Sequence, residues 1–295
     1  MSAIQVRMPP FNRRTLATRA MQAAVATRAK AKLDQVGPIC VYELCETLGV
    51  VVRFNKINME GMYQRGIPPR IHLSARRPLA RRAYNCGHEL GHHVFGHGSS
   101  IDELREDAKA NPWDDPNEFL VDTFAGFIVM PIIGLRRAFT VRGLSPETAT
   151  PAQLLTIACD FGVGYRTLLT HLAFSVNMLS RGRRIVLQRA TPQSLRAEIL
   201  GALTSEPLIV ADQHRPGPTL DAEVETLLLL PPGTEVTGEG LAYERQFARG
   251  RLYRAVRPGI VQANAPGAWS AFIRVAPKEY AGLARYRHLE EDPDE

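Results

Sequence analysis

The most constraining feature of this chain is the pentapeptide His88-Glu89-Leu90-Gly91-His92. Two histidines four apart share one face of an α-helix, about one turn from each other. On such a helix two imidazole nitrogens can reach one metal ion at about 2.0–2.1 Å, the distance zinc requires. Glu89 sits beside the first histidine, where it can take a proton from an attacking water and hand it to a leaving amine. The residues before the motif, 81–86, have helical character, and Gly91 permits close approach to a metal or a neighbouring helix.

A catalytic zinc site needs a third protein ligand and an open position. The extended pattern HExxHxxGxxH would place glycine and histidine where this chain has Phe95 and Gly98, and His97 is one residue out of register. The better candidate is Glu118, with Asp122 one turn further on. Glu118 can give a carboxylate oxygen to the metal. Asp122 can accept the far N–H of a ligating histidine, which fixes its tautomer. HExxH followed by ExxxD on a second helix is the arrangement of thermolysin-like zinc peptidases. Two other readings stand beside it: histidines buried in a core, and a metal site that binds without cleaving. His93 and His97 read as loop or solvent-facing residues that could touch substrate, and Asp102, Asp114 and Asp115 as loop solvation.

The rest of the chain is consistent with an ordinary globular protein. Its 295 residues are 45% hydrophobic and 22% charged, which argues against global disorder. The net charge of +6 comes from 31 Arg and 5 Lys against 30 acidic residues. That excess is mild and leaves open attraction to nucleic acid or an acidic partner. No apolar run is long enough for a transmembrane helix, and the start has no secretory pattern. Cys40, Cys45, Cys86 and Cys159 lack CxxC spacing and suit reduced thiols in a cytoplasm.

The expected fold is α+β. After a loose arm over 1–12, an Ala-rich helix with a solvated basic face runs over 13–33, then a short helix over 41–48 ended by Gly49. Strands follow at 50–54, 61–63 and 70–73, then helices at 78–93, 116–129, 153–161 and 165–178. Beyond residue 183 short β-type runs at 185–187, 208–210, 224–230, 251–256 and 271–275 surround one helix at 193–200. The acidic end, 290–295, reads as a frayed tail.

The stretch Ile71-His72-Leu73-Ser74, the pair Arg81-Arg82, Gly87 through His93, and Glu118 with Asp122 through Pro131 together resemble the ImmA/IrrE family of bacterial zinc metallopeptidases. The resemblance covers about 38–135. It implies zinc held by His88, His92 and Glu118, one ion per chain, with Glu89 as general base. Val121, where the family has a small residue, and Cys86-Gly87 depart from the pattern. Members of this family are intracellular and cleave a partner, typically a small helix-turn-helix repressor, in stress or mobile-element regulation. The corresponding division of the chain is an arm and helix at 1–35, a zincin-like peptidase domain at 36–135, a helix-turn-helix-like segment at 136–182 and a β-rich, GAF-like sensor at 183–295.

Several secondary expectations follow. Tyr63, His72 and His93 are candidate donors to the oxyanion or the substrate. The strand at 61–63 could offer its edge to an extended peptide. The segment around Ala158 and Gly162 reads as a helix-turn-helix turn whose second helix presents Tyr165, Arg166, Thr167, Thr170 and His171, with packing favoured over DNA reading. Arg245, Arg249 and Arg251, among aromatic residues, could meet single-stranded nucleic acid, against the simpler reading of a hairpin with a solvated face. A small-molecule signal is the other possible ligand of that region. Cys86 reads as a buried small hydrophobe or a redox handle. The rival to an enzyme is a sensor or DNA- or partner-binding regulator whose metal site does not cleave, including an antitoxin-like binder.

Overall fold

The computed structural model describes residues 11–102 and 114–289; the expected arm at 1–10 and acidic tail at 290–295 lie outside the described residues. The first layer is a small mixed sheet. Strands β1 (Val51–Asn55), β2 (Gly61–Gln64) and β3 (Arg70–Ser74) form where the sequence alternates, with β1 parallel to β3 and β2 antiparallel to it. Two short strands complete the order β13-β1-β3-β2-β4: β4 (Ser100–Asp102) and β13 (Gly282–Leu283), the latter returning from the far end of the chain. The open edge expected for β2 is therefore absent, because β4 pairs along it antiparallel. Nothing local in the sequence marks β4 as a strand.

Four helices accompany this sheet: α1 (Arg13–Lys30), α2 (Val41–Thr47), α3 (Leu79–Phe95) and α4 (Pro116–Val129). Of these, α3 and α2 pack on the sheet, α4 packs on α3, and α1 packs on α4 in turn. Helix α4 is apolar on nearly all sides because it is buried on nearly all sides, with α3 and α1 packed against it. Helix α1 exposes Arg13, Arg14, Arg19 and Lys30, as expected of a solvated basic face, but Arg28 departs from it. Arg28 is fully buried, and its Nε and Nη2 donate to the Ile128 carbonyl at 2.9 and 2.8 Å. It thus satisfies a last-turn carbonyl of α4 that has no helical partner. Burial lowers the Arg28 pKa to about 10.

Then come α5 (Ile132–Thr140), α6 (Pro151–Asp160), α7 (Tyr165–Thr170) with a π-helical turn at His171–Ser175, α8 (Arg181–Leu187) and α9 (Pro192–Leu200). The expected strand at 185–187 is the end of α8. Ser180 caps that helix by accepting from the Arg183 N–H at 3.1 Å, and Ile185 and Val186 stay exposed while Leu187 is buried. No single described helix is long and apolar enough to cross a membrane.

The remaining strands make two four-stranded sheets. One has the order β5-β7-β10-β9, from β5 (Leu208–Val210), β7 (Leu227–Leu230), β9 (Leu241–Phe247) and β10 (Gly250–Ala255). The other has the order β6-β12-β11-β8, from β6 (Thr219–Glu223), β8 (Glu235–Thr237), β11 (Gly259–Ala265) and β12 (Trp269–Ala276). Leu228, Leu230, Tyr253, Ile273 and Val275 share one core between them. The run expected over 224–230 begins as a turn, with Glu225 at φ 75°, and becomes strand only at Leu227. The helical core is separate and reaches from Ala20 to Leu195, with Tyr280 and Ala284 added from the chain's end.

Candidate metal centre

Capping residues place the two helices that carry the cluster. Helix α3 starts after Pro78 and stops at Gly96, which takes a left-handed conformation at φ 71°. Helix α4 starts at Asp115, whose side chain accepts from the Asn117 and Glu118 N–H groups at 2.7 and 3.3 Å. Asp115 is exposed, as expected from sequence, but serves as the N-cap of the helix. It places Glu118 in the first turn, where the helix dipole favours a carboxylate. The helices approach closely because α3 has glycines on the facing side. A Cβ added at Gly91 would lie 2.9 Å from Val121 Cβ; one added at Gly87 would lie 3.5 Å from Ala125 Cβ. The larger Val121 therefore sits against the face that Gly91 leaves bare.

This packing brings His88, His92 and Glu118 together, with one ligand atom from each within 4.8 Å of the others. His88 Nε2 is 3.3 Å from Glu118 Oε2, and His92 Nε2 is 3.8 Å from Glu118 Oε1. Ligands at zinc distances in a tetrahedron are about 3.3 Å apart, so the spacing is close to that of a metal shell. The donor set, two imidazoles and a carboxylate, suits zinc as well. The far nitrogens also have neighbours. His88 Nδ1 lies 3.9 Å from Asp122 Oδ1, and Tyr84 donates its hydroxyl proton to that same carboxylate at 3.0 Å. Burial, and then the Asp122 charge, push the Tyr84 phenol well above its ordinary pKa. His92 Nδ1 is 3.0 Å from His97 Nδ1, so one of the two nitrogens carries the proton between them.

Glu89 is fully buried beneath strand β2. A Cβ at Gly61 would meet its Oε1 at 2.5 Å, so only a glycine lets the strand backbone pass this close to the carboxylate.

The family profile of peptidase M78, described as the IrrE N-terminal-like domain, matches residues 45–172. The match, over less than half of the chain, supports an ImmA/IrrE-type metallopeptidase domain in that stretch. No curated protein matches the chain. The IrrE N-terminal-like domain holds the whole His-His-Glu cluster, and its match continues past residue 135 through α5, α6 and α7.

Within this IrrE-like domain the other expected residues separate into three groups. Tyr63 shares the α3-facing side of β2 with Gly61, and its hydroxyl is 3.0 Å from His93 Nδ1. Burial raises the Tyr63 pKa and lowers that of His93. His72 does not join them. It pairs in register with Met62, on the opposite face from Gly61 and Tyr63, and its Nδ1 lies 3.2 Å from Asn55 Nδ2. The second helix of the helix-turn-helix-like segment turns inward as well. Tyr165 is buried and donates to the Leu187 carbonyl, while His171 is buried against Phe127 and donates to the Met130 carbonyl at 3.1 Å. The expectation that these two are presented outward is therefore wrong. Arg166 lines a cavity of about 310 Å³ that also reaches Tyr84 and Asp122. Cys86 is fully buried with its Sγ 3.7 Å from Cys45 Sγ, and burial pushes its thiol pKa well up.

In the strand module, Arg245 donates to the Leu200 carbonyl and stacks over Phe247, and Arg251 donates to the Thr234 carbonyl. Arg254 pairs with Glu206 and Glu244, and Arg257 with Glu239. Arg249 is exposed. Most of these contacts tie the β9–β10 hairpin to its surroundings, at Leu200, Glu206, Thr234 and Glu239. Sequence reading missed the roles of Gly61 and Tyr84, and gave His97 and Asp115 other roles than the contact with His92 and the helix cap found here. Asp115 had a signal, an acidic residue directly before Pro-x-Glu; the other three depend on tertiary contacts.

Proposed function

We propose that this chain is a zinc-dependent endopeptidase that cleaves one partner protein, a small helix-turn-helix repressor, inside the cell. The observation that carries the reading is the His88, His92 and Glu118 cluster with Glu89 beside it, within the IrrE-like domain. Zinc, when bound there, lowers the pKa of water toward about 7 and polarises a carbonyl. Glu89 takes the proton of the attacking water and delivers it to the leaving amine. Its burial under Gly61 excludes bulk water and holds the carboxylate in one place. Asp122 orients His88, and Tyr84 orients Asp122. Tyr63 and His93 are the proposed donors to the substrate oxyanion. An extended substrate would pair along β4 or displace it from β2.

The division at 36, 136 and 183 belongs to the same proposal, with the strand module as the sensory part. The buried second helix of the helix-turn-helix-like segment supports a packing role for it, not DNA reading. The test incubates small helix-turn-helix repressors from the same organism with the zinc-loaded wild type and Glu89→Gln. The wild type yields two defined fragments of one of them by mass spectrometry, and the variant yields none while keeping its zinc. If wild type leaves them all intact but binds one, the non-cleaving regulator is the correct reading.

A further inference from the structure

A second cavity, of about 360 Å³, lies between the first turns of α3, the α6–α7 region and strands β5 and β6. Leu79, Ala83, Leu155, Phe161, Leu208 and Leu220 give it a largely apolar wall. The acids in the wall all have cationic partners. Asp160 pairs with Arg142 at 2.7 Å, Asp221 with Arg274 at 2.6 Å and Arg287 at 3.0 Å, and Glu223 with Arg82.

Arg215, also in the wall, is different. It is 8% exposed, and its Nη atoms donate to the carbonyls of Pro216, Gly217 and Thr219 at 3.2, 3.4 and 2.8 Å. Its Nε has no hydrogen-bond partner, and no carboxylate among the described residues forms an ion pair with it. A buried cation without a counter-charge is heavily penalised unless something supplies one. Desolvation lowers the Arg215 pKa, with Asp160 and Asp221 acting in the opposite direction from beyond pairing distance.

We propose that this cavity binds a small carboxylic acid with an apolar body, its carboxylate paired with Arg215 and its body against Leu79, Ala83 and Phe161. One guanidinium matches one carboxylate. The three acids in the wall work against a phosphate dianion, and the aliphatic wall works against a compact polar acid. Ala83 lies on the same helix as His88, so the occupant touches the helix that carries two of the three metal-cluster residues. The inference stands independently of whether the domain cleaves anything.

Octanoate, octanol and octyl phosphate are the probes, titrated calorimetrically into the full-length protein. Octanoate binds one per chain, and octanol and octyl phosphate bind at least about tenfold more weakly. Arg215→Gln brings octanoate down to the affinity of octanol and leaves octanol unchanged. Ala80→Phe, which places a ring in the cavity from the first turn of α3, abolishes binding of all three and covers the case in which Arg215→Gln does not fold. Absence of octanoate binding to wild type overturns the proposal. So does octanol or octyl phosphate binding as tightly as octanoate, or unchanged octanoate affinity in a folded Arg215→Gln or Ala80→Phe protein.

Discussion

At the metal centre, three electron-pair donors from two neighbouring helices converge on one point, with Glu118 Oε2 3.3 Å from His88 Nε2. At the seam between the helical part and the strand module, Arg215 apart, buried arginines meet carboxylates as matched acid–base pairs, the Glu43 end of one pair being exposed. Arg82 of α3 pairs with Glu223 of β6, Arg274 of β12 with Glu43 of α2 and with Asp221, and Arg287 shares Asp221. Both regions bury ionisable side chains, so burial alone does not mark a reactive site. Groups of the same kind directed at one another suit a metal. Complementary groups neutralise one another and hold two layers together.

Substitutions at the two regions should therefore separate activity from stability. The largest effect is expected at the metal centre. Glu89→Gln should lower the cleavage rate by about 10²–10⁴-fold, with zinc content and the thermal midpoint unchanged. At the seam the opposite holds. Arg82→Ala leaves Glu223 buried without its partner and should cost about 3–5 kcal/mol, read as a lower urea midpoint. The paired change Arg82→Met with Glu223→Leu should recover most of that loss, because it removes both charges.

A third test uses pH and belongs to neither region. Burial lowers the His171 pKa from 6.5 to about 4. The unfolded chain takes up this proton first, so the His171 contribution to stability is constant above pH 6.5, falls as pH drops toward 4, and levels off below that. The difference between wild type and His171→Gln across that window should approach about 3 kcal/mol. An unchanged profile in the variant would contradict the assignment of His171 as buried and neutral.

The glycines facing α4 give the smallest effects. Gly91→Ala drives a Cβ into Val121 and should destabilise by about 1–3 kcal/mol, weakening metal binding as the helices separate. Gly87→Ala meets only ordinary contacts at 3.4–3.5 Å. It should be neutral or stabilise by about 0.4–1 kcal/mol, by denaturant titration.

The same contrast explains what was legible in the sequence. The metal centre uses i, i+4 spacing on two helices whose starts carry Pro78 and Pro116, so local rules reach it. Strands β1 and β3 were readable one by one, β1 from its β-branched and apolar residues, but their parallel pairing was not. The seam was not readable, because Arg274 and Glu43 are 231 residues apart. Strands β4 and β13 are too short to announce themselves and exist through their partners β2 and β1. Strand β9 exposes most of its length, so its run of polar residues resembles a loop. The apolar triplet at 185–187 resembles a strand, but the Ser180 cap makes it helix. Arg28 was misjudged because a buried arginine is rare and its acceptor, Ile128, is 100 residues away.

The most direct test of the metal centre is zinc per chain, by equilibrium dialysis and mass spectrometry, in wild type, Glu118→Ala and Glu89→Gln. One zinc in wild type and in Glu89→Gln, with binding weakened at least about tenfold in Glu118→Ala, is the predicted result. Unchanged zinc affinity in Glu118→Ala would contradict it.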